Sequence, residues 1–413
     1  MPRRESLGVW LYGRRIAEFN SPKPWIVECS YTEEALDAWP ANIPLLSCSL
    51  PLGARRQNAT VFAAGLLPEG QHRQSVAAAM GVPVTDVHAL LARLGRDVAG
   101  AVVISSEPPS AQSGAFEPYT TASLEEEVLG LPDRPLAIYE DSELSLPGIQ
   151  DKLLLVKLED GRWARPIGGL PSTHILKIDD RFHPGLIEAE ASCLSLARAA
   201  GLTKVEASLE TIGDIPCMIV SRFDRVSHSN GMVDRLHQED ACQALARDPE
   251  AQQGRGRYQW AGGPSLSEIA DLLDRYSASP VEELDRLVSL VTFNAIIGNA
   301  DAHGRNVSML HPSPEEITLA PVYDTVPTLL WPKLRTDLAM TISGITSLRT
   351  VTSEAVVAEA RRWHHDPRSA QRVSIETAER LIETSSQVEL REDVRHLVQA
   401  RARRFLEGAP LGD

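Results

Sequence analysis

The sequence has no apolar run near the roughly 18 residues that a membrane-spanning helix needs, so no span is expected. Cysteine is scarce: the five in 413 residues (Cys29, Cys48, Cys193, Cys217, Cys242) lie far apart with no CxxC pair. That pattern argues against a disulfide scaffold or a zinc ribbon and fits reduced, mostly buried thiols in a cytoplasmic protein. The opening stretch MPRRESLGVWLYG lacks the apolar segment and small residues of a signal peptide. Positive charge is also in deficit. The net charge of −15 argues against this chain alone clamping a nucleic-acid backbone. The basic clusters Arg361–Arg362 with His364–His365, and ARARRF at 400–405, read as solvated helix faces. No low-complexity stretch or fixed-period repeat occurs, and 43% hydrophobic with 23% charged residues is a globular balance.

The chain is too long for one ordinary core and divides by pattern. Residues 1–104 mix strands and helices: GVWLYGRRIAEF reads as two strands across Gly13, WIVECSY as a third, and ALLARLGRDVAGAVVI as a helix running into a buried strand. SSEPPSAQSGAFEPY at 105–119, rich in Ser, Pro and Gly, reads as a linker. Residues 120–236 are β-rich. KLLLVKLEDGRWARP forms a hairpin on Asp160–Gly161, STHILKI is the next strand, GLIEAEASCLSLARAAGL is a helix stopped by Gly201, and KVEASLETIGDIPCMIVSRF supplies two more strands. Residues 237–413 are mainly helical, from QEDACQALA through VEELDRLVSLVTFNAIIGN to REDVRHLVQARARRFL. The expected fold class is α+β: a bilobal arrangement of a β-rich lobe and an all-helical lobe, with an extra N-terminal α/β subdomain.

One stretch, NAIIGNADAHGRNVSML at 294–310, crowds Asn299, Asp301, His303, Arg305 and Asn306 behind an apolar run. Phosphoryl transfer from ATP needs a carboxylate to orient the hydroxyl nucleophile, oxygen ligands for Mg²⁺ and a Lys against the phosphates. In protein kinases the first two are spaced D-x-x-x-x-N, the spacing of Asp301 and Asn306. A strand, a turn and a strand then lead to Asp324, where a second metal ligand is needed, and two oxygen ligands plus phosphate and water suit Mg²⁺. Upstream, Lys177 closes the strand HILK, and Glu190 on the following helix is its expected ion-pair partner, with Glu188 the alternative. His303 is assigned an orienting role. Taken singly these residues have plain structural readings. Asp301 and Asn306 cap helices and order loops well, Lys177 is a strand-end lysine, and Tyr323–Asp324 a turn; their order along the chain favours the chemical reading.

These motifs resemble the HipA family, the Ser/Thr kinase toxins of bacterial type II toxin–antitoxin pairs, over nearly the full length. FAAGLLPEGQHR and LLARLGRDVAGAV look like its N-terminal subdomain, SLPGIQDKLLL its phosphate-binding loop, STHILK its ATP-contacting strand and SRFDR its hinge. GNADAHGRN and LAPVYD look like its catalytic and metal loops. The resemblance implies Asp301 as general base and Asn306 and Asp324 as Mg²⁺ ligands. Lys152 and Lys177 would contact ATP phosphates, within a site also formed by Pro147, Gly148, Ile149, Gln150, Asp151, Glu190, Arg305 and Tyr323. Backbone at Ser221, Arg222 and Phe223 would meet the adenine. Ser145 matches the serine whose autophosphorylation shuts family members down, since a dianionic phosphate there would repel those of ATP. Two departures stand out. Pro147 and Ile149 replace alanines of the family loop, and Pro147 removes an N–H that could bind phosphate; Arg305 stands where lysine is usual, turning a point contact to the γ-phosphate into a fork.

The resemblance implies an ATP- and Mg²⁺-dependent kinase toxin that phosphorylates a protein, such as an aminoacyl-tRNA synthetase. A HipB-like helix-turn-helix antitoxin would restrain it, with DNA touched only through that partner and no membrane involved. Two other readings compete: a pseudokinase corepressor that tethers antitoxin dimers on operator DNA, and a small-molecule kinase using the same D-x4-N logic.

Overall fold

The leading hairpin forms where Gly13, at φ +78°, lets the chain reverse between β1 (Leu7–Leu11) and β2 (Arg14–Lys23). The computed structural model describes residues 4–109, 115–131, 151–180, 182–228 and 232–412. Its N-terminal unit continues with β3 (Ile26–Tyr31), α1 (Glu33–Ala38), β4 (Gln57–Asn58), α2 (Thr60–Gly65), α3 (Gly70–Ala79), α4 (Val87–Leu94) and β5 (Val102–Ser105). The five strands pair antiparallel in the order β4-β3-β2-β1-β5. Phe19, Val27, Phe62, Leu91 and Ile104 bury a core of their own beneath the helices.

The next lobe holds β6 (Ala115–Pro118), α5 (Thr121–Gly130), β7 (Lys152–Lys157), β8 (Trp163–Ile167), β9 (His174–Ile178), α6 (Leu186–Ala199), β10 (Ala207–Ile212) and β11 (Ile215–Ser221). Its six-stranded antiparallel sheet runs β10-β11-β9-β7-β8-β6. Successive side chains of a strand point to opposite faces, and here each face has its own helix. Cys217 and Ile219 join Leu153, Leu155, Leu176 and the α5 residues Leu124 and Val128. Met218 and Val220 join Ile187, Ala191 and Leu194 of α6.

Part of the expected 105–119 linker is sheet. Ala115–Pro118 pairs with Trp163–Ile167 as an edge strand, and Glu117 meets Arg165 at 3.0 Å. An edge strand needs hydrogen bonds on one side only, which lets a Pro-containing segment serve.

Two short strands, β12 (Arg225–Ser227) and β13 (Val233–Arg235), lead to the C-terminal lobe. Its helices are α7 (Ala241–Ala244), α8 (Ala251–Gly254), α9 (Leu266–Tyr276), α10 (Pro280–Ile297), α11 (Ser353–Arg362), α12 (Pro367–Ser385) and α13 (Glu392–Leu406). Ser265 and Glu268 cap α9 reciprocally, Pro280 opens α10 and Gly298 closes it at φ +79°. The lobe also holds antiparallel sheets: β14 (His237–Asp240), β15 (Ser308–Ser313) and β16 (Glu316–Leu319) in one, β17 (Asp337–Ile342) and β18 (Ile345–Ser347) in another. The start of QEDACQALA is therefore strand, because β14 pairs with β15; only one helical turn follows, capped by Asp240 and Gln243.

The basic run at 400–405 departs from the expected solvated face at one residue. Arg401 is fully buried, its guanidinium donating to the Ala295 and Leu348 carbonyls and to that of Gly412. A cation at the C-terminal carbonyls of α10 complements the helix dipole.

Buried charge joins the units. Asp97 of the N-terminal unit lies 2.8 Å from Arg225 Nη2 and 3.5 Å from Arg235, and accepts from the Ser172 N–H and hydroxyl. Arg222 donates to both oxygens of Asp224 and to the Val98 carbonyl. At a second joint, Glu239 accepts from Ser47 Oγ at 2.5 Å and the Cys48 N–H at 2.8 Å. Removing one partner of a buried ion cluster strands the other charges. Asp97→Ala is therefore expected to destabilise the protein by about 3–5 kcal/mol, read as a lower midpoint in a urea titration.

Candidate functional site

A cleft of about 560 Å³ opens between the β-rich and C-terminal lobes, beside the N-terminal unit. Its polar wall follows from strand alternation. Leu176 and Ile178 face the α5 core, so Lys177 between them faces α6. Lys152 is its cross-strand partner in β7 and shares that face. Lys177 Nζ lies 2.6 Å from Glu190 Oε1 on α6 and 2.9 Å from Asp324 Oδ1. Burial works against the ammonium, but Asp324 and Glu190 more than offset it and hold Lys177 firmly protonated. Lys152, also buried and beside Lys177, is pushed down to about 8.

The opposite wall begins where α10 stops. Gly298 turns the chain left-handed, and Thr328 accepts from the Ala300 N–H and donates to the Gly298 carbonyl. Asn299 Oδ1 accepts the Asp301 N–H at 2.9 Å. The loop then closes on itself: the His303 N–H and Asn306 Nδ2 both donate to the Asp301 carbonyl, and the Asn306 N–H donates to that of His303. Asp301 Oδ1 accepts the Tyr258 hydroxyl at 2.7 Å. His303 is buried, its ring edge-on to Tyr258, and burial pushes its imidazole down. The Tyr323 hydroxyl donates to the Arg305 carbonyl and pairs with Ser308 Oγ, which ties the strand before Asp324 to the loop. Asp324 itself sits at φ +53°, a left-handed conformation that Asp tolerates better than most residues. Burial raises its carboxyl, yet Lys177 outweighs this and holds it below the ordinary range.

Asp301, His303, Asn306, Tyr323, Asp324, Lys152, Lys177 and Glu190 thus line one cleft, with Asp151, Ser221, Arg222 and Phe223 at its edges. Asp151 Oδ1 faces His72 Nε2 at 3.1 Å. Phe223 packs on Tyr323 with ring centroids 5.0 Å apart. The Ser221 and Arg222 N–H groups are engaged by the Glu206 and Thr173 carbonyls, and the Arg222 guanidinium belongs to the buried joint with Asp224. Ser145, Pro147, Gly148, Ile149 and Gln150 lie outside the described residues. Glu190, rather than Glu188, meets the lysine.

Arg305 lines the cleft but also faces away from it. Its fork is spent on Asp240 Oδ2 (3.0 Å), Glu69 Oε1 (2.9 Å) and the Gly65 carbonyl (2.8 Å), so it braces the loop from behind. Glu69, Arg257 and Tyr258 were not legible as site residues. Glu69 lies in the quoted FAAGLLPEGQHR, but no local pattern says that its carboxylate crosses to another domain. Desolvation opposes its charge, but Arg305 and Arg257 outweigh this and bring it to about 2.

Among the described residues no group of three or more His, Cys, Asp or Glu side chains is placed to hold a metal ion. The available oxygen donors are the Asp324 carboxylate and the Asn306 amide, whose NH₂ end is spent on the Asp301 carbonyl so that its oxygen is the end left for a ligand. Such a pair fits a hard cation completed by phosphate and water.

A β-lobe and a helical lobe, with a Lys–Glu pair on one wall of the cleft and D-x4-N on the other, define a kinase-like α+β fold. Profiles of the HipA N-terminal domain and the HipA-like C-terminal domain match residues 7–105 and 144–394. The chain belongs to the HipA family. It is 37% identical over 358 residues to the putative kinase Y4mE of Sinorhizobium fredii, covering 84% of this chain and 83% of that one. The serine/threonine-protein kinase toxin HipA of Shewanella oneidensis is 29% identical over 72% of this chain and 70% of its own. The solved Shewanella oneidensis HipA, HipB and operator DNA complex superposes with a TM-score of 0.80 at 23% identity, covering 97% of both chains. No described helix is long and apolar enough to cross a membrane.

Gly304 shows how tightly the loop is set. A Cβ there would lie 2.6 Å from Pro264 and 3.0 Å from Cys242 Sγ. Gly304→Ala is expected to lower the unfolding free energy by about 1–3 kcal/mol through overpacking, measured by denaturant titration.

Proposed function

We propose that the chain is a protein kinase that transfers the γ-phosphoryl group of ATP to a serine or threonine hydroxyl. The observation that carries this is Lys177 held between Glu190 and Asp324, across a cleft whose other wall bears Asp301 and Asn306. Asp301, with one oxygen held by Tyr258, orients the acceptor hydroxyl through the other and takes its proton. Lys152 and Lys177 meet the phosphates of ATP. Asn306 and Asp324 would hold Mg²⁺, which neutralises charge on the phosphates when bound. The apolar side chains of Ile175, Val205 and Val220 also line the cleft and suit a purine. Backbone at Ser221, Arg222 and Phe223, which line the same cleft, would meet the adenine, with the Ser221 and Arg222 N–H groups already engaged elsewhere.

The Shewanella oneidensis kinase toxin and its complex with HipB and operator DNA support an extension to a toxin restrained by a HipB-like partner that contacts DNA on its behalf. The family resemblance adds that this partner is a small helix-turn-helix protein and that the toxin acts in the cytoplasm to inhibit growth. The acceptor is an aminoacyl-tRNA synthetase, and Ser145 is the self-phosphorylated residue that switches the kinase off.

One observation favours a second reading, the pseudokinase corepressor. Arg305 is committed to Glu69 and Asp240, so this position contributes no cation to the phosphates. Incubation with radiolabelled ATP separates the two, since a pseudokinase would transfer no label to itself or to added protein. Asp301→Asn keeps the hydrogen-bonding shape but loses the base. It is expected to abolish transfer with an unchanged circular dichroism spectrum and unfolding midpoint; undiminished transfer would remove Asp301 as the base.

A pH dependence follows from Lys152. Its folded-state value of about 8 means that the free protein carries the charge only below that pH. Bound phosphate favours the charged form. Affinity for a non-hydrolysable ATP analogue is therefore expected to hold steady below pH 8 and to fall above it, by at most about tenfold per pH unit for one coupled proton. Calorimetric titration across this range checks it.

A further inference from the structure

Glu69 belongs to the N-terminal unit, at the residue before α3, yet its side chain makes no capping bond there and its carboxylate ends between two arginines of the C-terminal lobe. Oε1 lies 2.9 Å from Arg305 Nη1, and Oε2 lies 2.8 Å from Arg257 Nη1. All three side chains are buried. Arg305 stands inside the loop from Asp301 to Asn306. Arg257 immediately precedes Tyr258, whose hydroxyl holds Asp301 Oδ1, and the Arg257 carbonyl accepts the Gly304 N–H. One carboxylate from a different domain therefore grips both segments that fix the base.

We propose that Glu69 is a positioning residue for phosphoryl transfer, through which the N-terminal unit sets the geometry of Asp301. The proposal rests on the kinase reading above and extends it to a domain that supplies none of the groups assigned to the reaction. Without the carboxylate, two buried guanidinium groups face one another with nothing between them. Arg305 keeps Asp240 and the Gly65 carbonyl, whereas the hydrogen bond that remains for the Arg257 side chain is the one to the Gly254 carbonyl. The Arg257–Tyr258 segment is thus the side that moves. Tyr258 then withdraws from Oδ1 and the base loses its fixed aim. Lys177 and Asp324 stand on other elements, and Lys152 loses only the smaller of its two through-space attractions, with Asp324 remaining beside it, so the nucleotide contacts persist while the transfer step suffers. A misplacement of about 1 Å at a reacting group is enough for a loss on the order of 100-fold.

The test compares wild type with Glu69→Gln, Glu69→Asp and Tyr258→Phe. Affinity for a non-hydrolysable ATP analogue is set against the rate of label transfer from ATP to the chain itself and to a mixed serine/threonine peptide library. In Glu69→Gln we expect transfer to fall by about 30-fold or more with analogue affinity within about threefold. Tyr258→Phe should show the same split, and Glu69→Asp should recover part of the rate. A folded Glu69→Gln that transfers within about threefold of wild type overturns the proposal. Should Glu69→Gln fail to fold, Glu69→Asp decides: the shorter side chain reaches one arginine at most, and an unchanged rate in the folded variant also overturns it. A wild-type chain that binds no analogue and transfers no label overturns the kinase reading itself, an outcome distinct from indifference to Glu69.

Discussion

The site depends on one ammonium group. Lys177 Nζ contacts Glu190 of the β-rich lobe and Asp324 of the C-terminal lobe at once, so a single charge sets the closure of the cleft. Each partner is delivered by ordinary local rules: Lys177 by strand alternation, Glu190 by its place on α6, and Asp324 by a left-handed turn after the β15–β16 hairpin. Buried carboxylates are costly unless paired. Displacing the lysine would strand the buried Glu190 carboxylate and remove the partner of the half-exposed Asp324, so opening the cleft at this contact carries a cost.

Charge also does the joining elsewhere. The N-terminal unit has its own apolar core, yet buried carboxylates make its main polar links to the rest: Asp97 among Arg222, Arg225 and Arg235, Glu69 between Arg257 and Arg305, and Glu239 reaching back to Ser47 and Cys48. Apolar contacts tolerate sliding; buried ion pairs, hydrogen-bonded as at Asp97 and Glu239 or close in distance as at Glu69, tolerate it less. The N-terminal unit is therefore held in register with the two lobes as well as held to them. Arginine outnumbers the carboxylate at two of these joints, three to one at Asp97 and two to one at Glu69, whereas Glu239 meets a hydroxyl, an amide and the His311 ring.

Much of this was legible in the sequence. The hairpins at Gly13 and Asp160–Gly161, the strand bearing Lys177, the helix bearing Glu190 and the D-x4-N loop after α10 all follow from periodicity and turn chemistry. They are local signals, and their order along the chain implied one cleft. What escaped was non-local. Ala115–Pro118 lacks a strand pattern and becomes one because the exposed edge of β8 is available to pair. His237–Asp240 has helix-like composition but is captured by β15. Arg401 looks like part of a solvated basic face and instead fills the end of α10. Arg305 reads as a phosphate contact until Glu69 takes its guanidinium. In each case a distant partner overrode a local preference, and no spacing rule encodes such a partner.

The register of β7 and β9 sets Lys152 and Lys177 side by side on one face of the sheet. Lys177 is compensated there by Glu190 and Asp324, while Lys152 beside it feels the neighbouring charge and its own burial. A polyanion laid across the two would add attraction at both positions together. Occupancy then stabilises the folded lobe by an amount that grows with ligand concentration, so the nucleotide becomes part of what holds the sheet.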